Sequence, residues 1–346
     1  MQHVAIDLGS SKSQVCIREL DETIAVETAV RTAGLPAYLR ELPRCRVIME
    51  TCAESFVVAD AALAAGHEVR VVPATLVRQL GVGEHGIKTD RRDARALSAV
   101  SCKVDLRSVH IRSPLARERL TRVGMRHALV TARTQLINCV RGWLRTQLQA
   151  VRSGAEHFPA NIRKMLLEQP SGIPVFVEGL LKSIETLNTQ IAEADVELKK
   201  LAEEDEICAR LMTVPGVGPI TSTTFAAVID DATRFKKAEE LESYLGLTPG
   251  ERSSSKTVRR TGITKAGPTM ARHALTQAAL TLWRVRPTDP AARWAEGVKN
   301  RRGKQVAVIA LARKLSGILF AMWRDKTTYQ PQQASRRPTS EQEAAA

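Results

Sequence analysis

Short apolar runs open the chain, and the spacing of their polar interruptions separates strands from helices. Val4 to Ile17 reads as a strand, a Gly/Ser turn and a second strand, with Asp7 set inside the apolar run Val4-Ala5-Ile6-Asp7-Leu8-Gly9. Arg46 to Met49 predicts another strand, Val57 to Ala65 an alanine-rich helix, and Glu68 to Val72 a further strand. A helix is expected from Asp90 through Ala94, Leu97 and Val100, with Thr89 as its N-cap. Strands alternating with helices imply an α/β domain, which closes near residue 115.

Beyond that point the period lengthens. Leu115 to Leu148 carries apolar residues at helical spacing, many arginines and no proline, which predicts one long basic helix. After a Gly/Pro-containing break at 153–174, Leu180, Ile184, Leu187, Ile191, Ala194, Leu198 and Leu201 alternate four and three residues apart. That is a three-heptad coiled-coil seam, read either as self-association or as a helix packed on its own chain. From Cys208 a second compact domain is expected, helical and broken by a Gly/Pro turn at Val214 to Pro219. The resulting division is 1–115, 116–206, 207–326 and a tail at 327–346, whose Gln, Pro, Ser, Glu and Ala residues predict disorder.

Charge points to a partner. Lys and Arg number 51 against 37 Asp and Glu, a formal charge of +14, which a polyanion would neutralise. No run reaches the roughly 20 apolar residues that span a bilayer, so no membrane partner is expected. The first apolar stretch is interrupted by Asp7 and lacks a basic leader, so no secretory signal is expected, and a cytoplasmic, nucleoid-associated bacterial protein is the resulting expectation. The six cysteines form no CxxC pair and the seven histidines no HExxH motif, which leaves no zinc pattern to follow.

Four acids carry the candidate chemistry. Asp7 lies within a strand and Glu50 ends another, while Asp90 and Asp93, three apart, share one face of a helix. A lone carboxylate in an apolar strand is costly to bury without compensation. Together the four supply the hard oxygen ligands that suit Mg²⁺, or Mn²⁺ in its place. Two such ions about 3.5–4 Å apart stabilise both oxygens of a phosphoryl transfer. The plainer alternative is that Asp90 and Asp93 favour a helix N-terminus while Arg91, Arg92 and Arg95 pair with surface acids. Ile6-Asp7-Leu8-Gly9-Ser10-Ser11 also looks like the first phosphate loop of actin-like ATPases and sugar kinases, but the second phosphate loop and the adenosine motif of those folds are missing.

The basic remainder offers two further motifs. Val214-Pro215-Gly216-Val217-Gly218-Pro219 looks like a helix-hairpin-helix, in which Gly216 and Gly218 would let a phosphate approach backbone amides. Gly246 to Gly267 reads as a polar loop without helical or strand period, and from 251 to 272 it holds six Lys or Arg and one acid. Arg252, Lys256, Arg259, Arg260 and Lys265 are its expected nucleic-acid contacts, and its serines either bind phosphate or attack it.

These motifs, in this order, resemble the DEDD insertion-sequence transposases, a family that includes Piv-like DNA invertases and bridge-RNA-guided serine recombinases. The resemblance rests on the Ile-Asp strand, Glu50, Lys88-Thr89-Asp90-Arg91-Arg92-Asp93-Ala94, Pro-Gly-Val-Gly, Gly246-Leu247-Thr248-Pro249, Arg252-Ser253-Ser254 and Ile263-Thr264-Lys265-Ala266-Gly267. It implies an α/β RuvC-like domain of ribonuclease-H fold, with Asp7, Glu50, Asp90 and Asp93 as the acidic tetrad. It also implies a helical coiled-coil connector and a mainly α C-terminal transposase domain. Ser254 then falls at the nucleophile position, with Ser253 one place away, and Glu54 is the alternative to Glu50. Double-stranded DNA, a guide RNA and a dimer or tetramer with a composite site between subunits are the implied partners. Two other functions stay open: a junction-resolving nuclease that uses water, and a non-catalytic nucleic-acid-binding protein.

Overall fold

The structure is a computed structural model that describes residues 1–79, 90–170, 172–254 and 257–331, without the side chains of 78, 79, 252–254 and 257–260. The chain forms two compact units, Met1–Arg112 and Ser113–Ala346.

The first unit is built on five strands and the helices that cover them. In chain order these are β1 (His3–Asp7), β2 (Lys12–Arg18), β3 (Ile24–Arg31), α1 (Leu35–Glu41), β4 (Arg46–Glu50), α2 (Ser55–Ala64), β5 (Glu68–Val72), α3 (Ala74–Gln79) and α4 (Asp90–Lys103). The sheet order is β3-β2-β1-β4-β5. β1, β2 and β3 form an antiparallel meander, while β4 and β5 run parallel to β1. Alternation assigns the two faces. Val4, Ile6, Val47 and Met49 pack with Leu35 and Leu39 of α1 and Val58 of α2. Ala5 and Ile48, between them in sequence, pack on the opposite face with Leu97 of α4. β3 and α1 have no counterpart in the sequence reading: β3 is largely exposed, and a strand wetted on both faces shows no apolar alternation.

The second unit is helical apart from one hairpin. It runs through α5 (Pro114–Thr146), α6 (Phe158–Leu167), α7 (Val175–Glu204), α8 (Glu206–Leu211), α9 (Pro219–Ile229), α10 (Ala238–Tyr244), β6 (Pro249–Ser254), β7 (Thr257–Ile263), α11 (Thr269–Val285), α12 (Pro290–Arg302) and α13 (Lys304–Arg324). Ser113 caps α5 by accepting from the Ala116 amide. Its hydroxyl and amide in turn donate to Asp230 at 2.6 and 2.8 Å, so the start of the long helix is tied to the end of α9.

Pairings between α5 and α7 fix their direction: Arg119 with Asp205, Arg122 with Glu197, Arg126 with Asp195, and Arg133 donating to Asn188 at 2.9 Å. One number rises as the other falls, so the helices lie antiparallel. The heptad face of α7 therefore packs within its own chain. Its buried residues are Val177, Leu181, Ile184, Ile191, Leu198 and Ala202, a set displaced from the expected seam, in which Leu180, Leu187, Ala194 and Leu201 stay half-buried. A heptad period specifies that a partner helix exists, and α5 is in reach to serve.

Three further expectations change. The polar stretch after Pro249 is a β-hairpin, paired Pro249 to Ile263 and Ser254 to Thr257. It escaped the sequence reading because polar residues on both faces leave no alternation. The tail does not begin at 327, since Tyr329 donates its hydroxyl to buried Asp289 at 2.9 Å and its amide to Thr213 at 3.0 Å. The disorder expected further along falls at 332–346, outside the described residues. Finally, α13 contains an 18-residue window with a mean hydropathy of 1.7, long and apolar enough to cross a membrane, contrary to the expectation that none exists. Leu311, Ala312, Leu315, Leu319 and Phe320 on it are buried in the core of the second unit, the ordinary environment of an apolar helix in a packed protein.

Candidate functional site

The carboxylates occupy the end of the first unit's sheet where β1 and β4 finish. The parallel register pairs Ile6 with Met49, so Asp7 and Glu50 are the next residues on adjacent strands. Both stand two positions beyond the residues that pack on α4, Ala5 and Ile48, and share that face of the sheet. Each is half-buried.

α4 runs antiparallel to β1, because Ser101 near its C-terminus meets His3 at the start of the strand, Oγ to Nδ1 at 2.8 Å. Its N-terminal turn therefore lies toward the Asp7 end. Asp93 is one turn before Leu97 and Asp90 nearly two, so both sit on the side of the helix that faces Ala5 and Ile48. Four helical residues advance about 6 Å and two strand residues about 6.6 Å, so the two advances match. Half-buried Asp93 and exposed Asp90 thus fall at the same end as Asp7 and Glu50. The oxygen-rich donor set suits a hard divalent cation. Among the described residues, no three His, Cys, Asp or Glu side chains stand at metal-binding spacing. The fold thus aligns the donors at one end without closing a coordination shell. Glu54 lies at the N-cap position of α2, past the strand. Thr89, the expected cap of α4, is outside the described residues.

Arg91 and Arg95 pair with an acid, as the plainer alternative expects, and the acid is one that the sequence reading did not single out. Glu27 on β3 accepts from Arg91 at 2.6 and 3.1 Å and from Arg95, and these guanidinium groups hold its carboxyl down at about 2. The pairs pin α4 to the sheet. No local signal could have named Glu27, since 64 residues separate it from Arg91. Cys45 and Cys208 are poor nucleophile candidates: burial pushes the Cys45 thiol up to about 11 and that of Cys208 up to about 12.

In the second unit, α8, the turn and α9 form two helices joined by a glycine-containing bend. Gly216 has φ +89°, and a Cβ there would meet the Ala278 carbonyl at 2.6 Å and the Leu282 amide at 2.7 Å. Its glycine is thus explained by close packing on α11. Gly218 faces open space as the N-cap of α9.

The hairpin is clasped at its base. Gly246, with φ +67°, and Gly267, with φ +86°, bring backbone onto backbone: Cβ atoms there would lie 2.0 Å from the Ala266 and Tyr244 carbonyl oxygens. Thr264 donates its amide to Thr248 at 2.9 Å, Lys265 donates to Gly246 at 3.2 Å, and Arg272 gathers the Leu245, Ala266 and Gly267 carbonyls at 2.9–3.1 Å. Gly-Leu-Thr-Pro and Ile-Thr-Lys-Ala-Gly are therefore two halves of one clasp. Lys265 itself sits at φ +56°, a conformation that a side chain adopts only when its surroundings hold it there. Ser253 and Ser254 end β6, Arg252 pairs with Arg259, and Glu251 pairs with Arg260. Ser255 and Lys256, between the strands, are outside the described residues.

The first unit is thus an α/β sheet with acids at its strand ends, and the second a basic, mainly helical unit. Two family descriptions match in succession: a transposase model over residues 4–148 and the model "Transposase IS116/IS110/IS902 family" over residues 208–294. A probable family 20 transposase of Pseudomonas aeruginosa is 29% identical over 338 residues, 96% of this chain and 99% of that protein. The transposase of insertion sequence IS1111A of Coxiella burnetii is 30% identical over 248 residues, 70% of this chain and 68% of its own length. The transposase of IS1328 of Yersinia enterocolitica is 25% identical over 335 residues, 94% and 98%. The chain belongs to the IS110/IS116/IS902 family of DEDD transposases, and its first unit is accordingly the RuvC-like, ribonuclease-H-like domain.

Proposed function

We propose that this transposase cuts and rejoins DNA through a serine nucleophile, Ser254, working with the acidic ends of β1, β4 and α4. The observation that carries the reading is the shared row of Asp7 and Glu50 on adjacent parallel strands, with the Asp90-Asp93 turn at the same end. Asp7, Glu50, Asp90 and Asp93 would hold Mg²⁺, which supplies positive charge to a phosphate under attack. The Ser254 hydroxyl would give up its proton to solvent and form a bond to phosphorus as the bond to a strand oxygen breaks, that oxygen taking up a proton and leaving as a free hydroxyl; religation by a strand hydroxyl would reverse the exchange and release the serine. Arg252, Lys256, Arg259, Arg260 and Lys265 would hold the DNA by charge, and Gly218 would admit a phosphate to the start of α9. A guide RNA is supported only by the charge of +14 and family membership, and a dimer or tetramer would let the hairpin of one subunit complete the acidic site of another.

Trapping of covalent protein–DNA adducts tests the reading. Wild type should yield an Mg²⁺-dependent adduct, and Ser254→Ala, Asp7→Asn and Glu50→Gln should each abolish it while DNA binding persists. Strand cutting that survives Ser254→Ala and Ser253→Ala without any adduct would replace the serine with water. Binding without cutting under every metal tested would leave a nucleic-acid-binding protein.

A further inference from the structure

The second unit carries many arginines, and most of those on its long helices are paired. Arg122, Arg126 and Arg163 have carboxylate partners on α7, and Arg119 pairs with Asp205 just past its end. Among the described residues, cations without a carboxylate partner gather where α11, α12 and α13 end and begin. An open groove of about 570 Å³ is lined there by Gln277, Thr281, Trp283, Arg284, Glu296, Lys299 and Lys304. Its one acid, Glu296, is already taken: Lys299 donates to it at 2.6 Å and the Trp283 indole N–H at 3.2 Å, and the ammonium lowers its pKa. Arg284, Arg301, Arg302 and Lys304 are exposed, and among the described residues they have no carboxylate partner.

Three cations and one acid leave the groove lining at +2, and Arg301 and Arg302 in the last turn of α12 bring the total to +4. Cations in the last turns of α11 and α12 gain roughly 0.3–1 kcal/mol each from the helix dipole. That accounts for Arg284, Lys299, Arg301 and Arg302 taken singly. It does not account for Lys304 in the first turn of α13, where a cation meets the wrong end of a dipole. Nor does it account for the crowding of like charges, which a folded protein relieves most simply with an anion. Arg301 and Arg302 extend the charge past the groove, farther than a compact anion would use. An extended polyanion matches that spread.

We infer that the α11–α12–α13 groove is a second DNA-backbone site, separate from the serine hairpin, at which Arg284, Arg301, Arg302 and Lys304 contact successive phosphates of a duplex. The inference rests on the reading of the protein as a DNA-processing enzyme, and it does not depend on how the strand is cut. Binding measured in EDTA keeps the two apart, because no cleavage occurs there.

The test compares the full-length wild type with the variant R284A/R301A/R302A/K304A, on duplex DNA and on a hairpin RNA of equal length, between 50 and 200 mM salt. Each phosphate contact contributes about 0.9 to the slope of log affinity against log salt, so the variant should lose roughly 3.6 from the slope on DNA. The affinity deficit of the variant at 50 mM should then shrink by about 10²-fold at 200 mM. The charge-keeping variant R284K/R301K/R302K should retain the wild-type slope, which a packing role for the guanidiniums would not predict. Circular dichroism matching wild type excludes misfolding. A DNA slope unchanged within about one contact's worth overturns the inference. A loss confined to the hairpin RNA overturns its assignment to DNA.

Discussion

Gly267→Ala should unlatch the serine hairpin at a cost that the geometry permits to be estimated. At φ +86° an alanine pays the left-handed penalty, roughly 1–2 kcal/mol. Its Cβ would also arrive 2.0 Å from the Tyr244 carbonyl oxygen, a backbone atom that cannot swing aside as a side chain would. Forced backbone shifts of this kind add about 1–3 kcal/mol. The sum, about 2–5 kcal/mol, is a large part of the roughly 5–15 kcal/mol that stabilises a typical folded domain. For a unit of this size it corresponds to a fall in melting temperature of roughly 4–20 °C. Gly262→Ala in β7 is the matched control: no atom lies within 4 Å of its added Cβ and its φ is not positive, so it should stay within about 1 kcal/mol of wild type. The assay is tryptophan fluorescence during urea unfolding. All four tryptophans, Trp143, Trp283, Trp294 and Trp323, lie in the second unit, so the signal reports on that unit alone. Equal losses for the two alanines, or a Gly267→Ala cost under about 1 kcal/mol, would refute the clasp.

Three other outcomes are expected. Glu27 is ordinarily protonated near 4.5 and is held at about 2 when folded, so its contribution to the first unit is full above pH 4.5 and lost as pH falls toward 2; acid titration by circular dichroism should show that loss in wild type and not in Glu27→Gln. Tyr329→Phe leaves buried Asp289 without that hydroxyl donor and should cost about 1–3 kcal/mol in the tryptophan signal. Ser113→Ala removes the cap of α5 and its donor to Asp230, with an expected loss of roughly 0.5–2 kcal/mol in the same assay.

The sequence by itself determined the local elements and the chemistry they carry. Apolar alternation marked β1, β2, β4 and β5, helical spacing marked α4, α5 and α7, and residue type marked four carboxylates, a serine-rich basic segment and two glycine motifs. These are short-range properties, expressed within a few residues of backbone period, and they survive without knowledge of neighbours. What a segment touches is a long-range property, and only the tertiary structure decided it. The heptads of α7 required a partner, yet that partner was α5 of the same chain. Gly216 permitted an open turn, yet it is consumed by packing on α11. Gly246 and Gly267, 21 residues apart, became one clasp, and Glu27 became the anchor of α4. Alignment of Asp7 with Glu50 came from strand register and alignment with Asp93 from the direction of α4. Those two facts depend on pairing partners distant in the chain, which no window along the sequence contains.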